Sequence, residues 1–114
     1  MKNNNNNFQE IQFLEQNLQN ILFQKQAFQI ELSESKESLK ELENSKDEVF
    51  KIIGQLMIKS EKSKIKEEIL NKIKILELRV KTLEKQEATF SERMEKLREE
   101  LLNNKDTEKK SKDL

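Results

Sequence analysis

The 114-residue chain has no cysteine, histidine, proline, tryptophan or tyrosine, and a single glycine, Gly54. Each absence removes a class of chemistry. Without cysteine there is no disulfide framework and no thiolate nucleophile. Without cysteine and histidine there is no zinc site of the usual kind, and the commonest general base at neutral pH is missing. One glycine cannot build a phosphate-cradling loop. No segment approaches the roughly 18 consecutive apolar residues of a membrane-crossing helix. Apolar residues reach only 33%, against roughly 45–50% in ordinary globular domains. No cofactor, metal or catalytic set is expected, and an enzyme is close to excluded. Paired carboxylates such as Glu67-Glu68 diverge by about 100° on a helix, so an acid–base role has little support.

What is present is charge. Charged residues make up 39% of the chain, and 22 basic residues balance 22 acidic ones. Acid and base are interspersed, the pattern of a solvated helix surface laced with ion pairs. A nucleic-acid binder carries a basic excess instead, so neither nucleic acid nor membrane is expected as a partner. The start, residues 1–7, is Asn-rich, lacks the apolar centre of a signal peptide, and is expected to be disordered. The expected compartment is the cytoplasm. Residues 103–114 read as a charged flexible tail.

Between these ends lie two heptad patterns. With Ile11 at position a, the a positions are Ile11, Leu18, Lys25, Leu32 and Leu39, and the d positions are Leu14, Ile21, Phe28, Ser35 and Leu42. In the second segment, a holds Ile73, Val80, Glu87, Met94 and Leu101, while d holds Ile69, Leu76, Leu83, Phe90 and Leu97. Such sustained seams predict two coiled-coil helices, 8–45 and 61–102. Lys25 and Glu87 are polar breaks that suit register specification.

The middle differs. Val49 to Ile58 has seven apolar residues in ten and is interrupted by Gly54. The second seam is one residue out of phase with the first, which argues against one continuous helix. The spacing predicts two short strands, 48–53 and 55–60, in an element spanning 46–60. Asn44-Ser45-Lys46-Asp47 favours a break, and Ser60 or Ser63 would cap the second helix. The expected fold is mainly α: an antiparallel two-helix coiled coil connected by a β-hairpin. Pairing residue i with about 107 − i matches the seams in length.

Such a hairpin is short of core. An isolated two-stranded ribbon is marginal in water. This one is apolar on both faces, with Phe50 and Ile52 on one and Val49 and Ile53 on the other. Its faces and edges call for partners. Oligomerisation through the strands is therefore expected, with Val49, Phe50, Ile52, Ile53, Gly54, Leu56, Met57 and Ile58 as assembly candidates. A second set lies off the seam. Phe13 falls at c, Leu22 at e, and Phe23 and Ile30 at f, in a neighbourhood where fourteen of the first thirty residues are Asn or Gln. Apolar anchors in a neutral polar setting suit loose contact with other chains, because few charges need desolvating.

The stretch Val-Phe-Lys-Ile-Ile-Gly-Gln-Leu-Met-Ile-Lys at 49–59 resembles the V-[YF]-K-x-x-G-x-L-[LIM]-[VI]-K element of the prefoldin beta subunit. Gln24-Lys25-Gln26, and the chain from Glu77-Leu78-Arg79-Val80 through Lys85-Gln86-Glu87, resemble the archaeal form of that subunit. The resemblance covers roughly 8–102. It implies a hexamer of two alpha-type and four beta-type subunits, joined through the strands. It also implies an ATP-independent chaperone that holds unfolded client proteins at its coiled-coil tips and passes them to a group II chaperonin. On that reading the client-contact candidates are Phe8, Ile11, Phe13, Leu14, Phe23, Leu101 and Leu102. The competing reading is a structural or scaffolding coiled coil without chaperone activity. It leaves the strand pair unexplained.

Overall fold

The structure is a computed structural model that describes residues 2–46 and 48–112, with side chains described over 6–46 and 48–103. Met1, Asp47 and residues 113–114, at the expected start, break and tail, lie outside the described residues. The order is α1 (Lys2–Asn44), β1 (Val49–Ile53), β2 (Leu56–Ser60) and α2 (Lys62–Lys112). The mainly helical fold with a connecting hairpin is as expected.

Both helices run further than their seams. α1 begins at Lys2, not near Phe8, and α2 continues to Lys112, through most of the segment expected as a tail. Neither extension contains Gly or Pro, and Asn, Lys and Glu are tolerated inside helices, so no residue there stops the backbone.

α1 ends where turn-forming residues were expected. The Ser45 amide and hydroxyl both donate to the Leu42 carbonyl, at 3.2 and 2.7 Å. The Lys62 ammonium then donates to the Ser45 carbonyl at 2.9 Å and the Glu43 carbonyl at 3.4 Å. A cation thus sits at the negative end of the α1 dipole and satisfies carbonyls that have no helical partner. The serine caps expected for α2 are not what starts it. The Glu61 carbonyl accepts the first helical bonds, from Lys64 and Ile65, and the Ser60 hydroxyl turns to the Ile58 carbonyl. The half-in position falls on Glu61, between the two serines.

β1 and β2 are antiparallel, with Ile53 opposite Leu56 and Val49 opposite Ser60. That register leaves a two-residue loop, Gly54-Gln55. Gly54 adopts φ +61°. Glycine with positive φ at the first loop position matches the right-handed twist of the strands.

The chain divides into two compact units. One joins residues up to Gln24 with residues from Leu83 onward, and the other is Lys25–Thr82. In the first, Ile11, Leu14, Met94 and Leu97 form the buried cluster, with Leu18, Phe90 and Leu101 packed against it. In the second, Ser35, Leu42, Ile73 and Leu76 are buried. Every position assigned to the seams is buried or half-buried.

Candidate functional site

Ion pairs fix how the helices meet. In the first unit Arg93 contacts Glu10 at 3.1 Å and Arg98 contacts Glu15 at 3.2 Å. In the second, Lys72 contacts Glu31 at 3.2 Å and Lys36 contacts Glu77 at 3.7 Å. Glu10, Glu31, Lys72 and Arg93 all occupy g, whereas Glu15, Lys36, Glu77 and Arg98 all occupy e. Pairing g with g and e with e is what antiparallel helices require; parallel helices pair g with e. Every pair joins a residue i to one within about six of 107 − i, so the register follows the expected matching of seams. The Glu10 carboxylate, through its hydrogen bond first and its charge second, raises the Arg93 guanidinium above its ordinary value. In the second unit Arg79 also lies over the Phe28 ring, 5.4 Å from its centre, a cation–π contact on the flank of the seam.

With the seams sealed, the apolar residues left outside define two candidate surfaces. The first is the hairpin, in the second unit. Alternation puts Ile53, Leu56, Ile58, Lys51 and Val49 on one face and Phe50, Ile52, Met57 and Lys59 on the other. Ile52 is 70% exposed and Met57 68%. Phe50, Ile53, Leu56 and Ile58 are exposed as well. Each face carries one lysine held by a carboxylate, Lys51 by Glu68 at 2.8 Å and Lys59 by Glu48 at 3.5 Å. The recess of about 330 Å³ beside α2 is lined by Lys51, Lys59, Lys64, Glu61 and Glu68 with Ser60 and Ile65. Its charges are of both signs, and Lys51 spans it to Glu68. Of the assembly candidates, Gly54 serves the turn, and Val49, at the base of the ribbon, is half-buried.

The second surface is in the first unit, on α1. Phe13 is 65% exposed and Phe23 70%, and Phe8 and Leu22 are exposed too. Leu102 is exposed on α2, and Leu101 is half-buried against the core cluster. Ile11 and Leu14, also named as client contacts, are in that core. They are a and d residues, and the partner helix takes their surface. Another chain could reach them only if the seam opened, so they stand apart from the outward set. Sequence reasoning passed over three exposed residues of α2 in the second unit, Leu70, Ile75 and Leu78. They occupy e, c and f, outside the seam, the same signal that singled out Phe13 and Phe23. Ile30, at f of α1, is exposed in that unit as well.

Among the described residues, no group of three or more His, Cys, Asp or Glu could hold a metal ion. No helix there is long and apolar enough to cross a membrane.

Comparison with known proteins gives a consistent set of matches. A family model described as Prefoldin subunit matches residues 3–107. The prefoldin subunit beta of Thermococcus onnurineus is 34% identical over 94 residues, covering 81% of each chain. That of Thermococcus kodakarensis is 38% identical over 90 residues, 77% of each. The crystal structure of the prefoldin beta subunit from Thermococcus strain KS-1 superposes with a TM-score of 0.84 at 32% identity, covering 89% of this chain and 90% of that one.

Proposed function

The chain belongs to the prefoldin family of chaperone subunits, in its beta form, and from that premise we propose that it captures unfolded proteins without ATP and hands them to a group II chaperonin. The capture surface is the outward face of α1 in the first unit, carried by Phe8, Phe13 and Phe23, with Leu102 of α2 contributing. The observation that supports this reading most is the exposure of three phenylalanines beside a seam that is already sealed. Each would gain roughly 1.5–3 kcal/mol if fully buried against a client side chain. A helix with a complete core has no structural need of them. Leu101 adds to the seam more than to the surface.

Membership of the family brings assembly with other prefoldin subunits. We assign that contact to Phe50, Ile52, Ile53, Leu56, Met57 and Ile58, with Gly54 setting the turn and Val49 the base. The ribbon has two unpaired edges and two apolar faces, and a second hairpin supplies what each lacks. The assembly is expected to contain two alpha-type and four beta-type subunits and to work in the cytoplasm. A scaffolding coiled coil without chaperone activity would share the seams. It would gain nothing from exposed phenylalanines or from an apolar ribbon.

The test is aggregation suppression. Phe8→Ser, Phe13→Ser and Phe23→Ser together are expected to weaken protection of a heat-unfolded client while leaving native mass unchanged. Undiminished protection would remove these residues from the capture surface.

A further inference from the structure

From Phe8 to Gln24 on α1, the b, c and f positions that face away from the seam are Gln9, Gln12, Phe13, Gln16, Gln19, Asn20 and Phe23, all exposed. None carries a charge, in a chain that is 39% charged. The two charged residues between Phe8 and Gln24 are Glu10 and Glu15. Both are drawn to the flanks of the seam, onto Arg93 and Arg98. On α2 of the same unit the outward positions include Lys85, Glu92, Glu95, Lys96 and Glu99, again exposed. At these outward positions one helix of the unit therefore presents charge to solvent and the other presents amides and phenyl rings, with Leu22 and the ion-paired Glu15 exposed on its flank.

This asymmetry has consequences for what can bind. A Gln or Asn side chain offers both a donor and an acceptor, the same pair that an extended peptide backbone offers. Phe13 and Phe23 stand ten residues apart, about 15 Å along the helix. An extended segment covers that distance in four to five residues at about 3.3 Å each. Residues four apart in a strand lie on the same face, so one segment can set two apolar side chains on the two rings. A segment bearing Lys or Glu between them would have to desolvate that charge against a strip holding no counter-charge. Penalties of this kind are how a surface discriminates between partners.

We propose that the outward strip of α1 selects uncharged, extended client segments, in which apolar residues about four apart are separated by amide side chains. The inference rests on the capture reading above and names the class of client. Because binding uses no ion pair, its strength does not change with salt.

The test uses the full chain in its native assembly. The variant carries Gln9→Lys, Gln12→Glu, Gln16→Lys and Gln19→Glu, which leaves the net charge unchanged. Lys and Glu are at least as good helix formers as the glutamines they replace; circular dichroism and native mass check the fold. The probes are a fluorescent 15-residue Asn/Gln peptide with two Phe four residues apart, and twins with two Lys or two Glu between them. The unaltered protein is expected to bind the neutral peptide about tenfold more tightly than either twin, equally at low and high salt, a difference of about 1.4 kcal/mol. The variant is expected to lose that preference. Equal binding of all three peptides by the unaltered protein, or a preference kept by the variant, overturns the selectivity. A changed native mass in the variant would reassign the strip to contact between copies and overturn it too. Aggregation suppression of a highly charged unfolded client is measured alongside. Suppression without peptide preference leaves capture standing and removes only the selectivity, whereas loss of both removes both.

Discussion

At the scale of single residues, three positions show how little tolerance the fold has. Leu97 is 0% exposed, the most enclosed side chain among the described residues. It sits at d in the first unit, against Ile11, Leu14 and Met94. Leu97→Ala removes buried surface and leaves a cavity, and it should cost about 2–5 kcal/mol. Urea unfolding of the assembled protein measures this, and a loss below the lower bound would mean that the seam collapses around the gap. Gly54 has open space where a Cβ would go, with nothing within 4 Å. Its restriction is the backbone alone, at φ +61°. Gly54→Ala should cost about 1–2 kcal/mol, the penalty of the left-handed region, and Gly54→Asn less, since Asn visits that region more readily. Equal midpoints for the two variants would contradict this origin. Lys62 shows what a residue-by-residue reading misses. Its role as donor to the end of α1 depends on the chain folding back over a separation of seventeen positions, from Ser45 to Lys62, so no local signal announces it.

At the scale of elements, the heptad pattern made the seams legible, because burial every three or four residues is a property of the helix itself. The hairpin was legible for a different reason: a lone glycine inside an apolar run has few other uses. Helix ends were harder to place. The Asn-rich start lacks apolar periodicity, yet nothing in it forbids a helix, and α1 includes it from Lys2. Ile11 and Leu14 show a related difficulty in the site. An apolar residue near a free end can be seam or surface, and only its heptad letter decides; a and d put both in the core. The e and g letters carry the direction of pairing. Arg93→Glu with Arg98→Glu sets acid against Glu10 and Glu15 on both flanks and should lower the thermal midpoint. Adding Glu10→Arg and Glu15→Arg should restore most of the loss. Failure of the fourfold exchange to restore it would mean that the arginines act through packing of their stems. For the hairpin, Ile52→Asp with Ile58→Asp places a carboxylate on each face. Burying either without a partner charge is far costlier than the apolar gain it replaces. The double variant should run as a monomer or aggregate in size exclusion, and an assembly of normal size would refute the role of the ribbon.

At the scale of the whole molecule, the distribution of apolar surface separates two tasks. Seam residues are spent within the chain. Among the described residues Phe50, Ile52, Ile53, Leu56, Met57 and Ile58 of the hairpin stay exposed, and exposed phenylalanines stand on a helix whose core is already complete. The proposed assembly and capture call for both kinds of surface, one permanent and one reversible. Their compositions differ accordingly. The ribbon is dense in branched aliphatic residues suited to a packed sheet. The α1 surface spaces its rings among amides, which favours weak contacts that can be released.

Membership of an assembly joined through the hairpin is tested most directly by native mass spectrometry of the tagged chain purified from its own host. Four copies of this chain with two copies of a second small helical subunit would agree with the ribbon as the assembly element. A homodimer, or a complex with one large unrelated protein, would contradict it.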